Sequence, residues 1–357
     1  MKRRLRQHRI LKAVFLPALL LFFSAVSVEA QSEDPVSLLL FKMGTADLQT
    51  SYRGDKTILN LSSYNPKVYR FVITHAPPNF ESRRFREGAS VRGAELFVSD
   101  GKYLWQYFPH RHLVVRRPIF KSEGKKESAQ RMVDLTLKNY TVDPPEEGPL
   151  ISGRASLVLG FVPRFEPKRP RRKIWIDREK GIPLRTEIYG LNNQLSLVSY
   201  FESIVFDPAT KPEQFVLKVP PGTMVRPLGE VPANTVPELD SMMGVKILLP
   251  RSMPRGFSLL SLHMNLRNGV KVAHLQYTDG LSTLSLFETT GKTEHQTPEG
   301  AEGARSFDVG GTPGTLYNLG LLRMVHWQAE DLHLTVVGEL AEDDLIHFAR
   351  SLAPQSP

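Results

Sequence analysis

Two histidines stand at a spacing that a metal site could use. His110 and His112 form an H-x-H pair, and on a strand both side chains would point the same way and could begin a zinc site. No third ligand is apparent in the sequence, and the flanking Arg111, Arg116 and Arg117 would repel a cation. We therefore predict no metal site in this chain.

Signatures of catalysis are missing or incomplete. The chain has no cysteine, which excludes thiol nucleophiles and disulfides, and it has no G-x-S-x-G or H-E-x-x-H motif. Gly291-Lys292-Thr293 ends like a phosphate loop, but Leu286 occupies the place of its first glycine. The acidic pairs Glu146-Glu147 and Asp343-Asp344 fall in a Pro-rich loop and at a helix start. We predict a protein that is not an enzyme, with no catalytic residue and no cofactor.

Large aromatic side chains on predicted strands are the positive signal. A sheet that presents them on one side could grip a lipid chain or an apolar peptide, and the alternative is an ordinary hydrophobic core. The candidates for an apolar pocket are Phe71, Trp105, Trp175 and Phe201.

Arginines near these strands could contact an anionic head group or an acidic partner. The candidates are Arg116, Arg117, Arg171 and Arg172. The last two belong to a dense basic run, 168–173, which also fits a solvated loop that leads into a strand. We expect no nucleic-acid binding, because the net charge of +9 owes much to the first 30 residues.

The segment from Lys173 to Asp207 is the clearest structural pattern in the chain. It predicts three consecutive antiparallel strands, with turns at Gly181 and at Asn192-Asn193. The last strand carries large apolar residues on both faces. Both sides of it are therefore covered, or one side lines a cavity.

Other segments supply the elements around these strands. Helices are predicted from Asp34-Pro35 to Leu48 and over 128–140. Asp100-Gly101 predicts a hairpin, and the polar segment 80–87 predicts a strand near an edge. Seven prolines from Asp207 to Pro237 predict an extended connection, which Phe215, Val216 and Leu217 would hold against the first sheet. Beyond it, 245–352 predicts further hairpins, one of them turning at Asp279-Gly280, a turn over 310–314 and a closing helix.

The order of elements predicts an α+β protein with two domains. We assign residues 1–30 to a signal peptide, 31–210 to a ligand-binding domain on a curved antiparallel sheet with packed helices, 211–238 to a Pro-rich linker, and 239–357 to a smaller α+β domain.

The first 30 residues have the form of an export signal. Basic residues precede an uncharged run from Ala13 to Val28, and small residues stand before Gln31. We predict cleavage before Gln31 and a periplasmic protein that is peripheral to the membrane; a retained membrane anchor is the alternative.

Four stretches resemble a known family. The segment KIWIDREKGIPLRTEIYGLNNQLSLVSYFESIVFD resembles one shared by LolA/LolB-like lipoprotein carriers and MucB/RseB-type periplasmic regulators of the envelope-stress sigma factor. LLPRSMPRGFSLLS at 248–261, and YTDGL at 277–281 with VVGEL at 336–340, are similar to the C-terminal domain of the second group. Met253 and Ala341 depart from the family pattern, which has leucine and proline there.

The resemblance implies a LolA-like half-barrel in the first domain and a negative regulator of sigma-factor signalling. Such proteins bind the periplasmic segment of an inner-membrane anti-sigma factor and shield it from proteolysis, and lipid or lipoprotein signals release them. The alternative is a soluble periplasmic carrier of lipids or lipoproteins, for which the first domain alone would suffice. Self-association is left open.

Overall fold

The larger of two sheets occupies the first two thirds of the chain. The computed structural model describes residues 34–62, 66–86, 95–119, 125–165, 169–267, 269–291, 297–298, 301–329 and 331–352. The predicted signal peptide, its cleavage site and most of the Gly291-Lys292-Thr293 motif lie outside these residues.

Thirteen strands among the described residues form this first sheet. They are β1 (Tyr52–Asn60), β2 (Lys67–Ala76), β3 (Phe80–Phe85), β4 (Leu96–Asp100), β5 (Tyr103–Phe108), β6 (Leu113–Pro118), β7 (Tyr140–Val142), β8 (Glu146–Glu147), β9 (Ser156–Pro163), β10 (Arg171–Asp177), β11 (Pro183–Tyr189), β12 (Leu195–Phe206) and β13 (Met224–Pro227). Their order is β13-β6-β5-β4-β3-β2-β1-β12-β11-β10-β9-β7, with β8 beside β9. All pairs are antiparallel except β13 with β6.

The three strands predicted between Lys173 and Asp207 are confirmed as β10, β11 and β12. Gly181 (φ 78°) and Asn193 (φ 63°) adopt left-handed conformations in the two turns, which is why residues tolerant of positive φ stand there. The strand over 80–87, predicted near an edge, is wrong in placement. β3 lies between β2 and β4, and its four polar residues stand between Phe80 and Phe85 inside the sheet rather than marking an edge.

Two helices cover part of the first sheet. α1 (Pro35–Thr45) begins with Asp34 as its cap, whose carboxylate accepts a hydrogen bond from the Val36 backbone N–H at 3.3 Å. α2 (Lys125–Asn139) packs beside it. Their apolar sides share one core with the sheet, formed by Leu39, Leu40, Val133, Tyr140, Leu159, Phe161, Ile174 and Ile176.

Eight described strands form the second sheet. They are β14 (Gly229–Ala233), β15 (Ser258–Arg267), β16 (Val270–Thr278), β17 (Thr283–Thr290), β18 (Glu302–Val309), β19 (Thr312–Leu319), β20 (Leu322–Ala329) and β21 (Leu332–Gly338), in the order β14-β15-β16-β17-β21-β20-β19-β18. Helices α3 (Val236–Met243) and α4 (Glu342–Ser351) contribute to the same core as these strands. The hairpin of β18 and β19 was not predicted, apart from a turn near Gly310.

The Pro-rich segment is tied to both sheets. Within this segment, β13 forms an edge strand of the first sheet, and β14 then forms an edge strand of the second. Phe215 is buried, with its ring 5.6 Å from that of Phe80, which confirms its predicted contact with the first sheet. The same prediction is wrong for Val216, which is exposed. α3 begins at Val236, inside the predicted linker.

The predicted fold class, α+β with a large open antiparallel sheet, packed helices and a smaller second α+β part, is confirmed. The domain boundaries stay a prediction, because residues from Asp34 onward form one compact unit.

Candidate ligand-binding site

Strand pairing determines which face of the first sheet carries each aromatic residue. Directly paired residues share a face, and consecutive residues along a strand face opposite sides. Phe201 pairs with Lys56, Lys56 pairs with Phe71, and Phe71 pairs with Phe85. We call this side the inner face, because α1 and α2 pack on it through Ile174 and its neighbours.

The two tryptophans lie on the opposite, outer face. Trp175 pairs with Arg185, and the ladder continues to Thr57, the strand neighbour of Lys56. The ladder from β2 to β5 places Trp105 on this same side. The four residues predicted for an apolar pocket therefore divide two and two, and the structure does not bring them together.

On the outer face, cations cover both indole rings. The Lys173 ammonium and the Arg185 guanidinium each lie 5.2 Å from the Trp175 ring centre. Arg116 lies 4.6 Å from the ring of Tyr103 and 5.5 Å from that of Trp105. These contacts stabilise the sheet surface and occupy the aromatic faces that a ligand would need.

On the inner face, β2, β3 and β4 carry a row of aromatic side chains, and two of the three are partly accessible. The rings of Phe71 and Phe85 are 4.9 Å apart, and those of Phe85 and Phe97 are 5.6 Å apart. Phe71 is 3% exposed and belongs, with Phe201, to a second hydrophobic core on this face, whereas Phe85, packed against that core, and Phe97 are half-buried. We call these three residues the aromatic row. A half-buried apolar surface of this kind suits an acyl chain or an apolar peptide.

A lysine stands beside the aromatic row. The Lys56 ammonium lies 4.7 Å from the ring centre of Phe201 and has no hydrogen-bond or ion-pair partner among the described residues. Burial, with a smaller contribution from the positive charge of Arg83, lowers the pKa of Lys56 to about 8, while Asp47 and Glu81 act in the opposite direction. Sequence analysis missed this residue, although a lysine in the apolar strand KTILNLS was a visible signal.

The four predicted anion-contact residues are dispersed. Arg116 lies on the outer face, and its neighbour Arg117 is exposed on the opposite side of β6. Arg171 stacks on Tyr189 with its guanidinium 5.6 Å from the ring centre. Arg172 forms an ion pair with Glu339 of the second sheet. They do not form one anion site.

Within the basic run, Arg169 and Arg172 connect the two sheets, whereas Arg171 and Lys173 are exposed. Arg169 is buried and donates to the Asp279 carboxylate at 3.0 Å. Tyr140 donates its hydroxyl to the same oxygen at 2.8 Å, and Asn139 donates to the Asp279 backbone carbonyl at 2.8 Å. Asp279 is fully buried, so its charge depends on these donors.

A tight turn allows this contact. Gly280 has φ 107°, and a Cβ there would lie 2.5 Å from the backbone nitrogen of Thr136 in α2. Only glycine permits this approach. The Asp279-Gly280 pair was predicted as a hairpin turn, and it also carries the main contact between the sheets.

A cleft of about 300 Å³ opens between the two sheets. The first sheet contributes Ser62 and Leu191 to its walls, and the second contributes Arg323 and Glu339. Burial lowers the pKa of Arg323. A segment bound in this cleft would contact both sheets at once.

The other chemical candidates do not gain support. His110 lies in a short 3-10 turn and His112 adopts a left-handed conformation, so the H-x-H pair is not on a strand. No group of three or more possible ligands is arranged for a metal ion in the described part of the chain. Nor does that part include a helix long and apolar enough to cross a membrane.

Comparison with solved structures identifies the fold. A chain of the Pseudomonas aeruginosa MucA/MucB complex matches 91% of this chain over its entire length, with 20% identity and a TM-score of 0.55. MucB in complex with MucA(peri) matches 90% of this chain and 100% of its own, with 19% identity and a TM-score of 0.57. MucB alone gives 18% identity, coverage of 90% and 98%, and a TM-score of 0.52.

These matches confirm the predicted resemblance at the level of the fold. They span both sheets, not the first sheet alone. No protein-family model and no curated protein matches the sequence.

Proposed function

We propose that this protein is an exported periplasmic regulator of sigma-factor signalling rather than an enzyme. It binds the periplasmic segment of an inner-membrane anti-sigma factor and shields that segment from proteolysis. A lipid or lipoprotein component that reaches the inner face of the first sheet releases it.

One observation carries the proposal. The fold matches MucB across about 90% of this chain, both sheets included, and MucB is seen in complex with MucA(peri). The cleft between the sheets supports a bound segment, because residues from both sheets line it. The aromatic row supports an apolar ligand at a separate place.

Release requires coupling between these two places. A ligand on the inner face weakens partner binding only if it binds more tightly to the state with lower partner affinity. The contact between the sheets around Asp279 is the element through which such a difference would pass, since both sheets must keep their arrangement to form the cleft.

A soluble carrier of lipids or lipoproteins is the second candidate. The half-buried aromatic row favours it, because an apolar ligand is its cargo. A carrier of this kind needs only the first sheet, whereas this chain devotes buried polar residues to holding a second sheet in place.

The test is photo-crosslinking in the cell. A photoreactive phenylalanine analogue replaces Leu191 in the cleft, and the matched control places it at exposed Leu150, outside the cleft lining. The proposal predicts that position 191 captures a single-span inner-membrane protein with a cytoplasmic anti-sigma domain. Capture of outer-membrane lipoproteins alone would favour the carrier, and no capture of a membrane partner would contradict the regulator.

A further inference from the structure

Lys56 has an unusual environment for a lysine. Its stem lies on the inner face between Phe71 and Phe201, and its ammonium faces the Phe201 ring. A cation removed from water needs a counter-charge or hydrogen-bond acceptors, and the described residues supply neither. Such a group persists in a fold when something outside the fold pairs with it.

The nearby charges do not serve as its partner. Arg83 is paired with Glu81 at 2.6 Å, so that carboxylate is already engaged. Asp47 influences Lys56 only through its field. The ammonium therefore presents free N–H groups beside the aromatic row.

We propose that the inner face binds a long-chain fatty acid, with its carboxylate on the Lys56 ammonium and its acyl chain along the aromatic row. This deepens the ligand part of the proposed function and rests on it. The aromatic row supplies apolar contact for the chain, and Lys56 supplies the charge that selects an acid over a neutral lipid.

The number of donors favours a carboxylate over a phosphate. One ammonium offers three N–H groups, enough for the two oxygens of a monoanionic carboxylate. A phosphate monoester brings three oxygens and a charge near −2, which a single half-buried lysine would leave incompletely paired. The second nearby cation, Arg83, is held by Glu81.

The experiment measures binding of cis-parinaric acid, a fluorescent fatty acid, to the whole protein, beside its methyl ester. The wild type should bind the acid roughly 10- to 100-fold more tightly than the ester. Lys56→Met should lose most of this preference and keep its affinity for the ester, because the methionine preserves the apolar surface. Lys67→Met, an exposed lysine on β2, is the matched control and should behave as the wild type.

Three outcomes would overturn the inference: equal binding of acid and ester by the wild type, an unchanged preference in Lys56→Met, or displacement of the acid by lysophosphatidate at lower concentration than by oleate. Circular dichroism and thermal melting verify that both variants fold. The regulatory role is tested separately by the crosslinker at position 191. If that position captures no membrane partner and the wild type still prefers the acid, the regulatory role is refuted and the fatty-acid site is not. If neither acid nor ester binds, the ligand site itself is refuted.

Discussion

The two sheets treat their covered faces differently. In the second sheet, Leu275, Leu286 and Val336 are fully buried together with Phe348 of α4, so that face is a closed core. The inner face of the first sheet contributes to two separate cores, one with the helices around Ile174 and one around Phe71, and beside the second core Phe85 and Phe97 stay half-buried. The difference indicates that the second sheet supports the molecule, while the inner face of the first offers a surface for a ligand.

Two ionisable groups, one in each sheet, differ in a similar way. Glu288 in the second sheet is fully buried, and its carboxylate accepts the Leu248 backbone N–H at 2.9 Å. Burial raises the pKa of Glu288 to about 8, so it is held as a structural, largely neutral group. Lys56 in the first sheet lacks such a partner among the described residues and lies beside the aromatic row.

The largest effect is expected in the core of the second sheet. Trp327→Ala removes a side chain that is 1% exposed and should lower the free energy of unfolding by about 4 kcal/mol. Urea denaturation measures this. A loss below about 1 kcal/mol would show that the second sheet is not a closed core.

The contact between the sheets is next. Asp279→Ala leaves the buried Arg169 without its counter-charge and should cost about 3 kcal/mol. Urea denaturation measures the change against Asp331→Ala, an exposed aspartate whose loss should cost less than about 0.5 kcal/mol. Equal effects of the two substitutions would contradict the anchoring role of Asp279.

The next prediction concerns pH. The pKa of Glu288 is about 8 in the folded protein against 4.5 in the unfolded chain. Its contribution to the free energy of unfolding is therefore fully present below pH 4.5 and is lost as pH rises toward 8. The gain in free energy of unfolding from Glu288→Gln, measured against the wild type, should therefore be about 2 kcal/mol larger at pH 8 than at pH 5. Denaturation at both pH values checks this, and parallel pH profiles of the two proteins would refute it.

Lys56→Met should raise the free energy of unfolding, whereas Trp327→Ala and Asp279→Ala lower it. The pKa of Lys56 is about 8 in the folded state against 10.5 in the unfolded chain, so its charge destabilises the fold below pH 8 and the penalty fades as pH rises toward 10.5. At pH 7 the variant should gain about 1–2 kcal/mol, whereas Lys67→Met should change little. A destabilised, well-expressed Lys56→Met protein would assign Lys56 a structural role.

The smallest effect is expected at the aromatic row. Phe97 is half-buried, so Phe97→Ala should cost only about 1 kcal/mol of stability. The same change should weaken parinarate binding severalfold, because it removes apolar contact with the chain. A loss of stability as large as that of Trp327→Ala would show that Phe97 lies in a closed core and that the two sheets do not differ in this respect.

The sequence predicted what depends on local patterns. Alternating residues from Lys173 to Asp207, with turn residues at Gly181 and Asn193, were sufficient to predict three strands. The proline-dense segment and its anchor Phe215 were also predicted, because prolines and a lone aromatic are visible without a partner.

What escaped prediction depends on residues far apart in the chain. Arg169 and Asp279 are separated by 110 positions, and no spacing rule connects a basic run with a hairpin turn. The division of Trp175 from Phe71 between two faces follows from strand order, which the sequence does not state. Lys56 could not be recognised as a candidate ligand contact before strand pairing placed it between Phe71 and Phe201.

The most direct test of this account is hydrogen–deuterium exchange of the whole protein with and without saturating oleate. We expect slower exchange in the strands that carry Lys56 and the aromatic row, from β1 to β4, and unchanged exchange in the second-sheet strands from β15 to β21. Protection confined to the second sheet, or none in either sheet, would contradict the assignment of the inner face as the ligand-binding surface.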